Sequence, residues 1–401
     1  MSATSIRTFY RLDSKNRVRV WTIQVVDYGS YSQIESTRGI EGMKMTPEAI
    51  KISEGKNIGK ANETSPYSQA TLEMQSKIDS KIREGYTEDK ANIKSNATLG
   101  SGVKKPMLAH KYDATKKQSS SKDLKDLALE GKPIFVQRKK DGNRCNIIVD
   151  RNGATMWSRK GDEMIPLTHI TKSIEESFNK IYKYVNKTYG VTSYTLDGEL
   201  FTKAFSFNKL NGLVKKQTKT FEDIELCKKI KYHIYDVMID IGYETRMKIT
   251  KYFKSPTVHV EETEEIIASE KNIKAKLEKY LAEGEEGLMI RVPGIPYENK
   301  RSWSLMKVKV FEDSEFKVVG FEEDKRGGMI GAIICEMDQH SKDSSGNVIS
   351  TFNSGLRFSH EECKEIWENQ SKYIGKQVTV EFFHRSEYGV PRFPKTGKFR
   401  K

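Results

Sequence analysis

Six consecutive residues, Lys139-Lys140-Asp141-Gly142-Asn143-Arg144, place an amine, a carboxylate and a guanidinium in one short turn. The apolar run PIFVQRK leads into it and NRCNIIVD leads out, so the turn joins two strands. As Lys-x-Asp-Gly-x-Arg it fixes four positions, which makes it specific. The plain reading is an Asp-Gly hairpin turn with surface charges beside it. The chemical reading is covalent catalysis by a lysine amine, which must first lose its proton. Free lysine titrates near about 10.4, so burial or neighbouring cations have to lower that value. Further along, Asp197-Gly198-Glu199 follows a strand, Glu286-Gly287 opens another, and Leu305-Met306-Lys307-Val308-Lys309 closes the region. Alternation puts Lys307 and Lys309 on one face of that last strand, with Met306, Val308 and Val310 on the other. Taken singly, these lysines and glutamates read as solvated surface charges. Their order after the first motif joins them into one constellation.

A constellation spread over such distances needs a rigid frame. From Lys105 to about Phe311 the pattern is α+β. PIFVQRK, NRCNIIVDRNG, TSYTLDGELF, KYHIYDVMID, EEGLMIRV and SLMKVKVF read as strands. ITKSIEESFNKIYKYVNKTY and EEIIASEKNIKAKLEKYLAEG read as helices. Residues 1–60 are β-rich, with FYRL, RVRVWTIQVV and MKMTPEAIKI broken by turns at Tyr28–Ser30 and Gly39–Gly42. Residues 66–85 switch to helical spacing, with Ala70, Leu72, Met74, Ile78 and Ile82 three to four apart and Gly85 as a stop. Polar Ser- and Lys-rich stretches follow at about 86–105, the expected linker, and about 115–126. Residues 312–401 return to short strands, EFKVVGFEE, GAIICEMD and QVTVEFFHR, interrupted by the helix HEECKEIWENQSKYIG, a pattern that suits a small β-barrel.

The bulk properties bound the partners. The chain has 401 residues, 36% hydrophobic and 10% aromatic, enough for two or three folded domains. Its 69 Lys plus Arg against 55 Asp plus Glu give a formal charge of +14, which favours polyanions without naming one. No apolar run of about 18 residues occurs, and the start MSATSIRTFYRLDSK has no apolar core, so neither a membrane span nor a secretory signal is expected. Cys145, Cys227, Cys335 and Cys363 form no CxxC pair, which argues against zinc and disulfides and for an intracellular setting, cytoplasm, nucleoid or nucleus. The seven histidines show no metal-ligand spacing, and GGMIGAI lacks the GK[ST] of a phosphate loop.

The ordered set resembles the covalent nucleotidyltransferases, and within them the compact ATP-dependent DNA ligases. Lys139 to Arg144 is the first motif, Ser158-Arg159 in MWSRKGDE the second element, and LDGEL the third. YHIYDVM is similar to the aromatic-Asp strand, EGLMIR to the fourth motif and LMKVK to the fifth. The resemblance covers residues 105–311 strongly and 312–401 moderately. It implies an adenylation domain at 105–311, an OB-fold barrel at 312–401 and a β-rich N-terminal domain at 1–98. The implied reaction uses ATP with Mg²⁺ (or Mn²⁺) to seal nicked duplex DNA in three steps, through a covalent AMP on Lys139.

The resemblance assigns further roles. Gln137, Arg144, Arg159, Glu199, Tyr235, Lys307 and Lys309 contact the nucleotide, with Tyr235 stacked on adenine and the two lysines on the α-phosphate. Gln137 stands where ligases often have Glu. Glu199, Glu286 and Asp197 are the expected metal carboxylates. Lys307, Lys309, Lys140 and Arg144 are the cations available to depress Lys139. In the barrel, Lys325 and Arg326 face the nucleic-acid backbone. Arg400 is the nearest match to the last, Arg-rich motif, though no acidic residue follows it.

Residues 1–98 resemble a WGR-type DNA-binding module, with Thr37-Arg38-Gly39 where its signature would fall, and Arg17, Arg19 and Arg38 are the expected contacts. The alternatives are an RNA ligase or tolerance of RNA in one nick strand, a guanylyltransferase using GTP, and a non-catalytic DNA-binding scaffold. An NAD-dependent ligase would need zinc cysteines that this chain lacks. The working form is expected to be a monomer with no membrane partner.

Overall fold

The computed structural model describes residues 2–112, 122–190, 192–343 and 345–400. The chain divides into two units, Arg83–Gly85 with Lys94–Lys309, and Met1–Ile82 with Tyr86–Ile93 and Val310–Lys401.

In the second of these, β1 (Ser2–Ala3), β2 (Arg7–Leu12), β3 (Val18–Asp27), β4 (Ser32–Ile40) and β5 (Thr46–Ile52) form an antiparallel sheet. The β-branched run VRVWTIQVVD makes β3 its centre, with Trp21, Ile23 and Val25 turned inward. Helix α1 (Pro66–Arg83) lays Ala70, Met74 and Ile78 on that face. The expected stripe was wider. Leu72, off the row that runs i, i+4, i+8 from Ala70, is 59% exposed, and Ile82, which continues that row at the helix end, is 43% exposed. The expected linker at 86–105 is instead ordered. Thr87 bridges Tyr10, Arg7 holds Glu88 at 2.8 Å, and Leu99 and Val103 are buried.

The unit that carries the first motif contains two sheets. Its strands begin with β6 (Leu108–Lys111), β7 (Pro133–Lys139), β8 (Asn143–Asp150), β9 (Gly153–Ser158) and β10 (Glu163–Met164). Helix α2 (Thr168–Tyr189), β11 (Tyr194–Phe201), α3 (Phe207–Lys215), α4 (Phe221–Cys227) and β12 (Lys231–Val237) follow. Then come α5 (Tyr243–Thr250), β13 (Val258–Val260), β14 (Thr263–Ile267), α6 (Glu270–Ala282), β15 (Gly287–Arg291) and β16 (Arg301–Val308). One sheet runs β10-β9-β8-β11-β12-β13 and the other β14-β7-β15-β16-β6. Helix α2 covers the first through Ile170, Ile174 and Phe178, and α6 covers the second through Ile273 and Tyr280. The uncovered faces meet each other. Alternation sends Ile134 and Val136 of β7 to the helix side, and so Gln137 and Lys139 alternate with the partners of that side.

Two sequence expectations change here. EEII, read as the start of a helix, belongs to β14, which pairs with β7, and α6 begins only after the Ser269 cap. The helices α3, α4 and α5 are too short to have shown a clear period in the sequence. Of the polar stretch at 115–126, residues 115–121 lie outside the described residues.

Near the C-terminus β17 (Glu312–Glu323), β18 (Ile330–Lys342), β19 (Val348–Leu356), β20 (Gln377–Phe382) and β21 (Lys395–Phe399) close a barrel in the order β17-β18-β19-β21-β20. Helix α7 (His360–Glu368) starts from a capping box of Ser359 and Glu362. The strands β19 and β21 were not expected from the sequence.

Candidate active site

The turn after β7 carries Lys139 to the seam between the two sheets, and the glycines explain how close the backbones come. A Cβ on Gly142 would lie 2.4 Å from the Leu200 carbonyl oxygen and 2.7 Å from Glu199 Cγ. One on Gly198 would lie 2.6 Å from both the His233 carbonyl oxygen and the Tyr232 ring. Both positions therefore need the smallest residue.

Lys139 Nζ is ion-paired with Glu286, whose other carboxylate oxygen takes Lys309. The pairing is registered by β7 and β15, where Lys139 lies opposite Gly287 and its carbonyl accepts the Glu286 N–H at 2.9 Å. Burial holds the Lys139 amine below the usual lysine range. Glu199 and Asp141 oppose that shift, while Arg144 and Arg159 reinforce it. Lys307 is likewise lowered, by burial first and then by Lys139, Arg301, Arg159 and Lys111. Neither Lys307 nor Arg159 has an ion pair among the described residues. Two unspent cations thus stand close to the amine.

Arg144 donates to Asp197 through Nε at 2.9 Å and Nη2 at 2.6 Å, a bidentate pair. Tyr297 adds its hydroxyl to the same carboxylate at 2.6 Å and accepts the Met107 N–H at 2.8 Å. Asp197 is therefore a brace for Arg144. Both of the oxygens that this expected metal carboxylate would offer already accept hydrogen bonds, from Arg144 and Tyr297. The Arg144 and Arg291 guanidinium carbons lie 5.7 and 5.6 Å from the centre of the Tyr235 ring. Gln137 is 2% exposed, and its amide is committed on both sides. Its oxygen accepts Arg291 at 2.7 Å, and its nitrogen donates to Thr263 at 2.9 Å.

Glu199 differs from the other acids in making no hydrogen bond or ion pair among the described residues. Burial pushes its carboxyl up to about 7, against the pull of Lys139 and Arg144 and with help from Asp197 and Asp141. An unpartnered carboxyl within electrostatic reach of Lys139, which Glu286 also holds, fits a divalent cation, which takes few protein carboxylates and completes its shell with phosphate and water. No group of three or more His, Cys, Asp or Glu that could hold a metal ion occurs among the described residues.

Lys140, expected to be one of the cations depressing Lys139, turns away instead and spends its charge on Glu285 at 2.6 Å. The sequence also missed the buried set behind Gln137. There Asp236 takes Arg246 at 2.7 Å and Arg291 at 2.5 Å, so one carboxylate serves two arginines. Asp236 and Arg291 lie inside YHIYDVM and EGLMIR, so the signal was present but without an assigned task.

The six expected DNA contacts lie in the other unit. Arg17 is 2.7 Å from Asp13, Arg326 is 2.7 Å from Asp324, and Arg400 is 2.8 Å from Glu315. Arg19, Arg38 and Lys325 are exposed and have no ion pair among the described residues.

The family model described as "ATP dependent DNA ligase domain" matches residues 106–309, and "DNA ligase OB-like domain" matches 323–400. The chain is 24% identical over 377 residues to a DNA ligase of African swine fever virus (isolate Warthog/Namibia/Wart80/1980), covering 90% of this chain and 81% of that one. That span exceeds the two matched domains and reaches into the N-terminal region. The DNA ligase of Haemophilus influenzae (strain ATCC 51907 / DSM 11121 / KW20 / Rd) is 26% identical over 251 residues, 60% of this chain and 79% of that one. Among solved structures, one of a Lig E DNA ligase has a TM-score of 0.54 at 22% identity, covering 74% of this chain and all of that one, which shows the shared fold. No helix among the described residues is long and apolar enough to cross a membrane.

Proposed function

The chain belongs to the ATP-dependent DNA ligase family, whose general activity is the sealing of nicks in DNA, and we propose that it works through a covalent adenylate on Lys139. The observation that carries this reading is the largely buried Lys139 amine, held below the usual lysine range, with Lys307 and Arg159 unspent beside it.

In the first step the neutral Lys139 amine attacks the α-phosphate of ATP, a P–N bond forms and pyrophosphate leaves. Lys307 and Arg159 stabilise the charge that develops on the phosphate. Glu286, already on Lys139, takes up the ammonium contact until the amine is released, and Lys309 competes for that carboxylate. Gln137 and Tyr235 line the base side, and Arg144, its Nε and Nη2 fixed by Asp197, offers its remaining Nη1 to ribose or to the nick phosphate. AMP then passes to the 5′-phosphate, and the 3′-hydroxyl displaces it.

Mg²⁺ or Mn²⁺, held by Glu199 and Glu286, would neutralise the triphosphate during attack. The working form is proposed to be a monomer. RNA in one nick strand is the open variant of the substrate. Four buried free cysteines support an intracellular setting.

The WGR-like reading of residues 1–98 also stays a proposal, supported by the unpaired and exposed Arg19 and Arg38. In the barrel, the exposed Lys325 is the better backbone contact, since Arg326 and Arg400 are ion-paired within it.

The test is incubation with ATP labelled at the α-phosphate, comparing wild type with Lys139→Ala, then a chase with nicked DNA or nicked hybrid duplex. Label held by the wild type, absent from the variant and released with sealed product supports the reading. Label retained by Lys139→Ala would overturn the nucleophile. No label on the wild type, once bound AMP has been stripped, would leave only the DNA-binding scaffold.

A further inference from the structure

We propose that Lys140, the residue that Lys-x-Asp-Gly-x-Arg leaves unspecified, is a positioning residue that locks the nucleophile turn across both sheets. The proposal rests on the reading of Lys139 as nucleophile.

The two neighbouring lysines point to different places. Lys139 meets Glu286, and Lys140 meets Glu285 at 2.6 Å, so consecutive residues pair with consecutive residues across the β7–β15 edge. Lys140 Nζ also lies 4.0 Å from Glu261, and both carboxylate side chains are only 6% exposed. Glu261 in turn bonds His233 Nδ1 at 2.6 Å. The Phe201 ring closes the cluster, 5.4 Å from Lys140 Nζ and 5.5 Å from the His233 ring.

These partners come from opposite sides of the seam. Glu285 precedes β15 and Glu261 precedes β14 in one sheet, while His233 on β12 and Phe201 on β11 belong to the other. One buried ammonium therefore ties both sheets at the level of Lys139. A buried ion of this kind is sustained only when partners replace its hydration, and two carboxylates do so here.

Without the ammonium, Glu285 and Glu261 would be left facing each other, and the turn would lose a side-chain anchor between the two sheets. Lys139 would still be present and intact, but its amine would be misplaced. A displacement of about 1 Å in a reacting group can cost on the order of a hundredfold in rate. Lys140 itself touches no substrate in this scheme, and its effect passes through Lys139.

The test uses the full chain and four variants, Lys140→Met, Lys140→Arg, Glu285→Gln and the double Lys140→Met with Glu285→Gln. Two reactions are timed in single turnover, formation of protein-bound AMP from saturating ATP, and sealing of a nick that already carries the 5′-adenylate. The second needs no attack by Lys139. Expected for Lys140→Met is a roughly 10- to 100-fold slower adenylation with KM for ATP little changed. Sealing of the adenylated nick should stay near the wild-type rate, and Lys140→Arg should recover most of the loss. Glu285→Gln, which keeps the lysine and serves if Lys140→Met folds poorly, should show the same selective loss. The double variant should be no worse than the worse single one. Wild-type adenylation by Lys140→Met, or equal loss of both reactions in both variants, overturns the proposal. Adenylation of Lys139→Ala would instead overturn the reading on which it stands.

Discussion

Glu286 holds Lys139 and Lys309 on its two carboxylate oxygens, so the same acid that orients the Lys139 amine, the proposed nucleophile, also keeps it charged. Attack requires the neutral amine. The rate of adenylation should therefore rise with pH and level off above an inflection that lies below 10.5, the ordinary lysine value, because burial favours the uncharged form. Glu286→Gln removes an anion that stabilises the ammonium and should move the inflection lower still. Single-turnover adenylation across pH, with ATP in excess, checks both points. An inflection at or above 10.5 would contradict the first.

Lys307 is the cation left free to meet the phosphate, and Lys309 is not. Lys307→Ala should slow adenylation by about 10²- to 10³-fold, the usual effect of losing one preorganised charge at a developing oxyanion. Retained ATP binding, measured by calorimetry, would show that the loss lies in the chemical step. An effect below tenfold would assign the phosphate to other cations.

Arg144 and Asp197 form a buried pair that Tyr297 completes. Asp197→Asn leaves the guanidinium uncompensated and should destabilise the protein by about 3–5 kcal/mol. Tyr297→Phe removes one bond to a charged group and should cost about 1.5–3 kcal/mol. Thermal or urea unfolding orders the two, and equal costs would mean that the carboxylate is not the centre of this brace.

The Glu199 carboxyl, pushed up to about 7 from the ordinary 4.5, makes stability depend on pH in the nucleotide- and metal-free protein. The folded state holds this proton more tightly than the unfolded state does. The contribution is therefore present below about 4.5 and is lost as pH rises through about 7. Glu199→Gln should remove that loss, gaining on the order of 2 kcal/mol over wild type at pH 8 and little at pH 4.5, since solvent reaches part of the side chain. Urea unfolding at both values decides it, and a constant difference between the two proteins would be the contrary result.

Arg19 and Arg38 are the two N-terminal candidates not spent on a carboxylate. Replacing both with Ala should lower the salt slope of nicked-DNA binding by about one per lost phosphate contact, up to roughly two. Arg17→Ala, whose guanidinium is already on Asp13, should change the slope less. Identical slopes for all three proteins would remove nucleic acid from the role of this sheet.

The sequence alone determined the chemistry that was possible. Lys139, the Asp-Gly turn, the two later glutamates and the Lys307–Lys309 strand were legible because each is a local pattern whose spacing fixes turn, strand and face. So were the β-rich start and most barrel strands. The tertiary structure decided which charge meets which. Lys139 and Glu286 are 147 residues apart, Lys140 and Glu285 are 145 apart, and Arg144 and Asp197 are 53 apart. No local period encodes such pairings. Local pattern alone did not tell Lys140 from Lys307 as a cation near Lys139, nor Asp197 from Glu199 as a metal carboxylate. Strand register and burial separated them, giving Lys140 and Asp197 partners and leaving Lys307 and Glu199 without one. An unpaired charge near a buried amine is costly to the fold, and its cost falls when a ligand of opposite charge arrives.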